Sequence, residues 1–321
     1  MNTNPNLWGG EFVQGLNTAL VLNANDILGG LWRIEEGIKD KAVVKLFNYV
    51  SSLQAGNACA VTPSTAGSNM SDLEIPMPRF TINENVCKND FNNTSYADSL
   101  AMGALNTEIP REVLETYLMD MAQNEASNTM KLRWMGDTAS ADPLLSLQDG
   151  IIKKVETSVG YIAVAPTAAG ASTDPATVIA EINKLLADVP ANVRLNPDFK
   201  IVLSPEIYVA YQQALAANTA YATWNMRFLD VSAAGSYKGD FVGTTIQLHV
   251  VNGLAGEIML AGSFSNTKQG NIVLATDALA DYASVQVVDL QPNTGQPFVN
   301  FLWSIGQGVE VQRPTEIALY K

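Results

Sequence analysis

Thr107–Asp137 reads TEIPREVLETYLMDMAQNEASNTMKLRWMGD, and the organisation of the chain follows from it. Leu114, Leu118 and Met121 recur at three-to-four spacing, with Val113, Tyr117 and Met130 beside them, which makes one apolar stripe on a helical period. Pro110 stands where a first helical turn tolerates proline. Glu108 and Glu112 put negative charge at the positive end of the helix dipole, Lys131 and Arg133 put positive charge at the other end, and Gly136 offers a stop. The pattern predicts one helix from about Pro110 to Met135, roughly 40 Å long at about 1.5 Å per residue. A rod of that length usually braces something extended.

Before this helix, Lys39–Leu53 carries Val43, Leu46, Phe47 and Val50 at helical spacing. From Gly56 to Asp98 the chain turns rich in Asn, Ser, Thr and Pro, and LEIPMPRFTI alternates Leu73, Ile75 and Met77 with polar residues or proline. Pro76 and Pro78 point to edge strands, because proline cannot donate to a central ladder. The reading is a long, projecting, two-stranded excursion. Such a hairpin is marginal alone in water and needs something to lie on.

After the helix come DPLLSLQDGIIKKVETS and an Ala/Gly/Thr-rich surface loop through Thr173. Asp174-Pro175 opens a helix with Val178, Ile182, Leu185 and Val189 on one face. FKIVL from Phe199 reads as a buried strand, and Ser204-Pro205-Glu206 starts a helix to about Ala217. TTIQLHVV, EIMLAGSF, NIVLATD and ASVQVVDL are short strands, so about Gly160 to Leu290 is expected as one compact mixed unit. In the closing FVNFLWSIGQGVEVQRPTEIALYK, two strand-like runs flank a Gly306-Gln307-Gly308 turn. That hairpin is expected to return to the first part of the chain, leaving the middle unit as an insertion.

With 321 residues the chain is long enough for about two domains. Hydrophobic residues make up 47% and charged residues 16%, against roughly 25% charged in an average soluble protein. A surface so poor in charge is accounted for if neighbouring subunits cover much of it. The balance of 19 basic and 32 acidic residues, net -13, argues against a nucleic-acid-binding surface. Lys153-Lys154 and Lys131-Leu132-Arg133 are short and read as solvated helix or loop ends. An acidic chain could still line a container for DNA without adhering to it. The start carries no secretory pattern, and no apolar run approaches a membrane span, so synthesis in a cytoplasm is expected. Cys59 and Cys87 are expected as reduced thiols, with a bridge between them as the alternative.

The only histidine, His249, lies in a strand with Ile246, Leu248 and Val250 and is expected to face solvent or a neighbour. No second histidine and no G-x-S-x-G elbow support a catalytic triad. Two cysteines and one histidine make no zinc spacing. The G-x-G at Gly306 lacks its third glycine and following helix, and no phosphate-cradling G-x-x-x-x-G-K-[ST] occurs. Glu35 with Glu36, and Asp137 with Asp142, are read as solvation. The expectation is no enzyme, with no catalytic, cofactor-binding or metal-binding residue.

Taken in this order the chain resembles the major capsid proteins of tailed bacteriophages, the Hong Kong 97-like fold family. LLSLQDGIIKKVE with Gly150, FKIVLSPEIYVAYQQAL, YKGDFVGTTIQLHVVNGL, GNIVLATD and the closing GVEVQRPTEIALY are similar to phrases of that family. The resemblance implies an α+β fold with an N-terminal arm at 1–55, an extended E-loop hairpin at 56–98, and a peripheral domain with a spine helix at 99–159. An axial domain at 160–290 and return strands of the peripheral domain at 291–321 complete it. It implies a subunit forming pentamers and hexamers of an icosahedral shell around phage double-stranded DNA. The implied partners are the chain itself, a separate scaffolding protein, a portal and possible decoration proteins. The implied location is the virion capsid, assembled in a bacterial cytoplasm. An encapsulin-type nanocompartment and another phage structural protein, tail tube or decoration, are the alternatives. No cross-link residues are carried over.

Overall fold

The computed structural model describes residues 6–7, 30–48, 69–88, 90, 111–217, 238–277 and 285–321. Pro110, Glu108 and Cys59 lie outside the described residues. In chain order the strands are β1 Asn6–Leu7, β2 Arg33–Glu36, β3 Lys41–Asn48, β4 Asn69–Pro76, β5 Arg79–Cys87, β6 Ile162–Val164 and β7 Phe199–Leu203. They continue with β8 Lys238–Asp240, β9 Gln247–Val250, β10 Met259–Ser263, β11 Ile272–Thr276, β12 Val285–Asp289, β13 Phe298–Val311 and β14 Ala318–Tyr320. The helices are α1 Arg111–Met135, α2 Ile151–Thr157, α3 Val178–Asp188, α4 Ala191–Arg194, α5 Pro205–Ala217 and α6 Gln291–Thr294.

The predicted rod is α1, 25 residues long. Leu118, Met121, Met130 and Trp134 are buried along one side, while Thr116, Asp120, Gln123 and Ser127 are exposed on the other. The chain then doubles back at a tight crossing, where the Gly150 N–H donates to the Gly136 carbonyl at 2.8 Å. A Cβ on Gly136 would sit 2.3 Å from the Gln148 carbonyl oxygen, and one on Gly150 would sit 2.7 Å from the Gly136 nitrogen. Only glycine permits that approach, which explains Gly150 in the phrase LLSLQDGIIKKVE.

Two six-stranded sheets carry the rest. The first runs β1-β12-β13-β11-β2, with β5 also paired to β13. The second runs β6-β14-β10-β7-β9-β8. One core lies between the inner face of the first sheet, α1, α2 and one face of the second sheet, and contains Trp134, Val155, Phe301, Trp303, Val202, Leu260 and Leu319. Trp32 and Trp134 meet edge-on there, with ring centroids 5.2 Å apart. A second core lies between the other face of the second sheet and helices α3 and α5. The four residues expected on one face of α3, Val178, Ile182, Leu185 and Val189, are all buried in it.

Three expectations are corrected. Residues 41–48 form a strand, not a helix, because pairing with β4 selects the two-residue period: Ala42 and Val44 are buried, and Lys41, Val43 and Lys45 are exposed. The two-stranded excursion therefore begins at Lys41, and a boundary at 55/56 falls between its strands. Gly306-Gln307-Gly308 is no turn but the middle of the 14-residue β13. Gly308 is there because the ribbon crosses it: a Cβ would lie 2.1 Å from the Pro76 carbonyl oxygen. Finally, NIVLATD and ASVQVVDL, expected inside 160–290, are β11 and β12 of the first sheet, whereas the last strand, β14, lies in the second between β6 and β10. Apart from β12–β13, these pairings join strands well separated in the chain, and a strand's own pattern does not say which sheet will receive it.

Candidate functional site

The surface set apart from the two cores is the β3–β4 ribbon. Its strands pair from Lys41↔Pro76 to Asn48↔Asn69, and directly opposed residues share a face. Ala42, Val44 and Ile75 form the inner face at the root and pack on Val273 and Ala275 of β11. Burial fades outward: Leu46 and Leu73 are half-buried, Ser71 is exposed, and Met70 is 64% exposed. The outer face carries two cross-strand ion pairs, Lys41–Glu74 at 2.9 Å and Lys45–Asp72 at 2.7 Å. The Glu74 hydrogen bond holds the Lys41 ammonium above its ordinary pKa. Past the last pair, Leu46 to Ser71 contains no Asp, Glu, Lys or Arg. The ribbon is thus clamped by apolar contact at its root, ion-paired along its length and uncharged at its far end.

Beside the root lies a cleft of about 520 Å³ between the ribbon and the α1–α2 corner, lined among others by Met77, Pro78, Leu147, Gln148, Lys154 and Val309. Lys154 reaches Glu310 of β13 at 2.9 Å. The other half of the first sheet's outer face is formed by rows across three strands, Gln286–Leu302–Asn83 and Val288–Asn300–Asn85. Asn300 donates to Oδ1 of both Asn83, at 2.6 Å, and Asn85, at 2.8 Å.

The second sheet is instead sealed by a buried polar latch. The Tyr320 hydroxyl donates to Oε2 of Glu181 at 2.8 Å, and the Thr167 N–H donates to the same oxygen at 3.3 Å. Burial pushes the Glu181 carboxyl up, but the Thr167 and Tyr320 hydrogen bonds and the Lys184 charge outweigh it, so its pKa lies below the ordinary value. Burial, followed by the Glu181 bond, raises the Tyr320 hydroxyl well above its ordinary value. Glu257 fastens the neighbouring loop through the Gly170 N–H at 2.7 Å and the Ser172 hydroxyl at 3.2 Å.

The residues singled out by sequence are not brought together. His249 is 2% exposed, not turned to solvent, because β9 lies between β7 and β8 and both faces of that sheet are covered. Its ring nitrogen Nε2 lies 3.4 Å from Oε1 of Gln247. Glu35 pairs with Arg33, whose Nε donates to it at 2.7 Å. Asp137 accepts from the Ala139 N–H and from Lys153, which hold its pKa down, and Asp142 caps the Leu144 N–H. Lys131 is exposed as expected, but Arg133 is fully buried, with Nε donating to Gln307 Oε1 at 3.0 Å. That bond ties the end of α1 to the middle of β13, and the helix-end reading of Arg133 missed it. Among the described residues no three His, Cys, Asp or Glu side chains group to hold a metal ion, and no helix is long and apolar enough to cross a membrane.

No protein-family model matches the sequence, and no curated protein matches it. Solved structures do. The capsid of Myoviridae phage XM1 aligns with TM-score 0.58 at 11% identity, over 92% of this chain and 91% of that one. The capsid of cyanophage A-1(L) aligns with TM-score 0.58 at 12% identity, over 93% and 92%. The virus-like particle from Pyrococcus furiosus aligns with TM-score 0.54 at 13% identity, over 97% and 100%. Sequence identity this low leaves the backbone arrangement as the shared property, and by that arrangement the chain has the fold of phage capsid-shell proteins.

Proposed function

We propose that the chain is a major capsid protein that assembles as pentamers and hexamers into an icosahedral shell enclosing a phage double-stranded DNA genome. In this reading the β3–β4 ribbon is the E-loop, α1 is the spine helix, the first sheet is the peripheral domain and the second sheet with α3 and α5 is the axial domain. The observation that carries it is the ribbon: a two-stranded hairpin is marginal in water, yet this one runs from a buried root to exposed Met70. A neighbouring copy supplies the surface that completes it, and repetition of that contact closes rings and then a shell. Scaffolding, portal and decoration proteins are the expected partners, assembly takes place in a host bacterial cytoplasm, and the DNA is enclosed without sequence-specific binding.

The test is to replace residues 49–68 by an Asn-Gly turn joining the opposed Asn48 and Asn69. The expected product is a soluble, folded subunit that forms no particles in electron microscopy, while the unaltered chain does. Normal particles from the truncated chain would remove the E-loop assignment. A second reading, an encapsulin-type compartment, is favoured by the match to the Pyrococcus particle. Nucleic acid inside purified particles decides for the phage shell.

A further inference from the structure

We propose that Asn252-Gly253, in the turn between β9 and β10, is a self-modifying site: the Gly253 backbone nitrogen closes on the Asn252 side chain, expels ammonia and leaves aspartate or isoaspartate at position 252. The reaction needs only a single subunit and water, so it is independent of the shell-forming reading.

Packing puts a glycine at position 253. Val251 and Leu254 are buried in the same core as Met130 of α1. The Val251 N–H donates to the Leu203 carbonyl of β7, and the Leu254 N–H donates to the Val251 carbonyl, both at 3.1 Å. The turn is thus pinned at both ends, with Asn252 exposed between them. Gly253 faces inward: a Cβ there would lie 2.7 Å from the Met130 carbonyl oxygen and 2.8 Å from Met130 Cγ. Its φ lies outside the left-handed region, so space and not backbone conformation demands the glycine. The missing side chain also leaves the Gly253 nitrogen unshielded. The residue that packing requires is therefore the one that makes the preceding asparagine labile.

Two dipeptides of the chain close a five-membered imide ring most readily: Asn252-Gly253, its only Asn-Gly, and Asp149-Gly150, its only Asp-Gly. Their surroundings differ. At Asp149-Gly150 both reacting groups are tied down, since the Gly150 N–H donates to the Gly136 carbonyl at 2.8 Å and Asp149 Oδ1 accepts from the Thr138 N–H and hydroxyl, each at 2.9 Å. At Asn252-Gly253 neither the asparagine amide nor the glycine N–H has a hydrogen-bond partner among the described residues. The Gly253 nitrogen loses its proton to a base in solvent and attacks Asn252 Cγ. As that C–N bond forms, the bond to the side-chain nitrogen breaks, and the nitrogen leaves as ammonia. Water then opens the cyclic imide at either carbonyl. One opening restores the backbone with an aspartate; the other routes the backbone through the side chain as isoaspartate, adding one carbon between the pinned ends of the turn. The added length drives Gly253 against Met130, so the contact between α1 and the second sheet loosens as the subunit ages.

The experiment incubates the full chain in mildly alkaline buffer and follows it by peptide mapping with mass spectrometry and by methyl labelling with an isoaspartyl methyltransferase. Position 252 is expected to convert at least about tenfold faster than any other asparagine of the chain, because only there does a following glycine leave the attacking nitrogen unshielded. Asp149 is expected to stay unmodified. Asn252→Gln keeps the amide but lengthens the side chain, so that the five-membered ring cannot form, and is expected to abolish labelling at the turn. Hydrogen exchange of peptides covering Met130 is expected to accelerate in the aged parent chain and not in aged Asn252→Gln. Conversion at 252 no faster than at other asparagines, or isoaspartate confined to position 149, overturns the proposal. Conversion without faster exchange around Met130 overturns the loosening of the α1 contact.

Discussion

The two six-stranded sheets differ in what covers them. The second is closed on both sides: α3 and α5 seal one face, the shared core seals the other, and β7 and β10 are buried almost residue for residue. The first has one sealed face and one face half occupied by its own ribbon and half open. A closed sheet needs nothing further to be stable, whereas among the described residues half of the first sheet's outer face and the far end of the ribbon have no second layer. On the proposed shell function, the lobe holding the second sheet supplies folding stability and the first supplies association. Substitutions should separate these two roles.

The largest effect is expected in the closed lobe. Phe241 is 2% exposed and stacks on Tyr211 with centroids 5.9 Å apart. Phe241→Ala should cost about 3–5 kcal/mol in chemical denaturation, whereas Leu302→Ala on the open face should stay within about 0.5 kcal/mol. Equal costs at the two sites would erase the distinction. Next comes Gly308→Ala, which pushes a methyl against the Pro76 carbonyl. It should cost about 1–3 kcal/mol and increase hydrogen exchange of β3 and β4 without changing that of β7 or β10. Protection lost uniformly across both sheets would show that the ribbon root is not a separate clamp.

Much of the closed lobe was legible in the sequence, because its elements declare themselves locally. The Val178, Ile182, Leu185 and Val189 stripe, the buried run FKIVL and the Ser204-Pro205 start each become an element where expected. The long rod was equally plain from Leu118, Met121 and its terminal charges. Sheet membership was not. β11 and β14 have similar apolar patterns but enter different sheets, and that choice is made by partners distant in the chain. The ribbon strand β3 fits both a helical and a two-residue period, and only its pairing with β4 resolves it. Gly308 could be read as a turn because a glycine required by a crossing backbone looks, in sequence, like a glycine required by a bend. Burial of His249 had no local signal, whereas that of Arg133 had one that the charge pattern concealed. A hint was present in Lys131-Leu132-Arg133: on a helix whose buried stripe includes Met130 and Trp134, position 133 falls on the same side.

The Tyr320–Glu181 latch gives an intermediate effect with a pH signature. Tyr320→Phe should cost about 1.5–3 kcal/mol near neutrality, the range for a hydrogen bond to a charged group. The folded-state pKa of Glu181 is depressed, so its contribution is present above the unfolded carboxylate value, about 4.3, and is lost as pH falls through the lower folded value. The pKa of Tyr320 is raised, so its contribution is complete below about 10 and declines in stronger alkali. Thermal melts of Glu181→Gln against the parent chain should lose part of the acid limb and keep the alkaline limb of other groups. An unchanged acid limb would mean that another carboxylate carries it.

The smallest effect belongs to the ribbon's outer ion pairs. Lys45–Asp72 is more than half exposed on the lysine side, so Lys45→Ala should change subunit stability by less than about 1 kcal/mol. Its influence on assembly has a sign that salt reveals. Added salt weakens the pair, but it also screens repulsion between copies of net charge -13, which reaches about 8–10 Å at physiological ionic strength. The repulsion acts between all copies, while the pair is one contact within each ribbon, so screening of repulsion dominates. Light scattering of the unaltered chain should therefore rise from low to moderate salt, and Lys45→Ala, which adds one net negative charge, should move that rise to higher salt. A shift to lower salt would mean that the lysine itself meets a cationic group of the neighbouring copy, so that the charged part of the ribbon belongs to the contact.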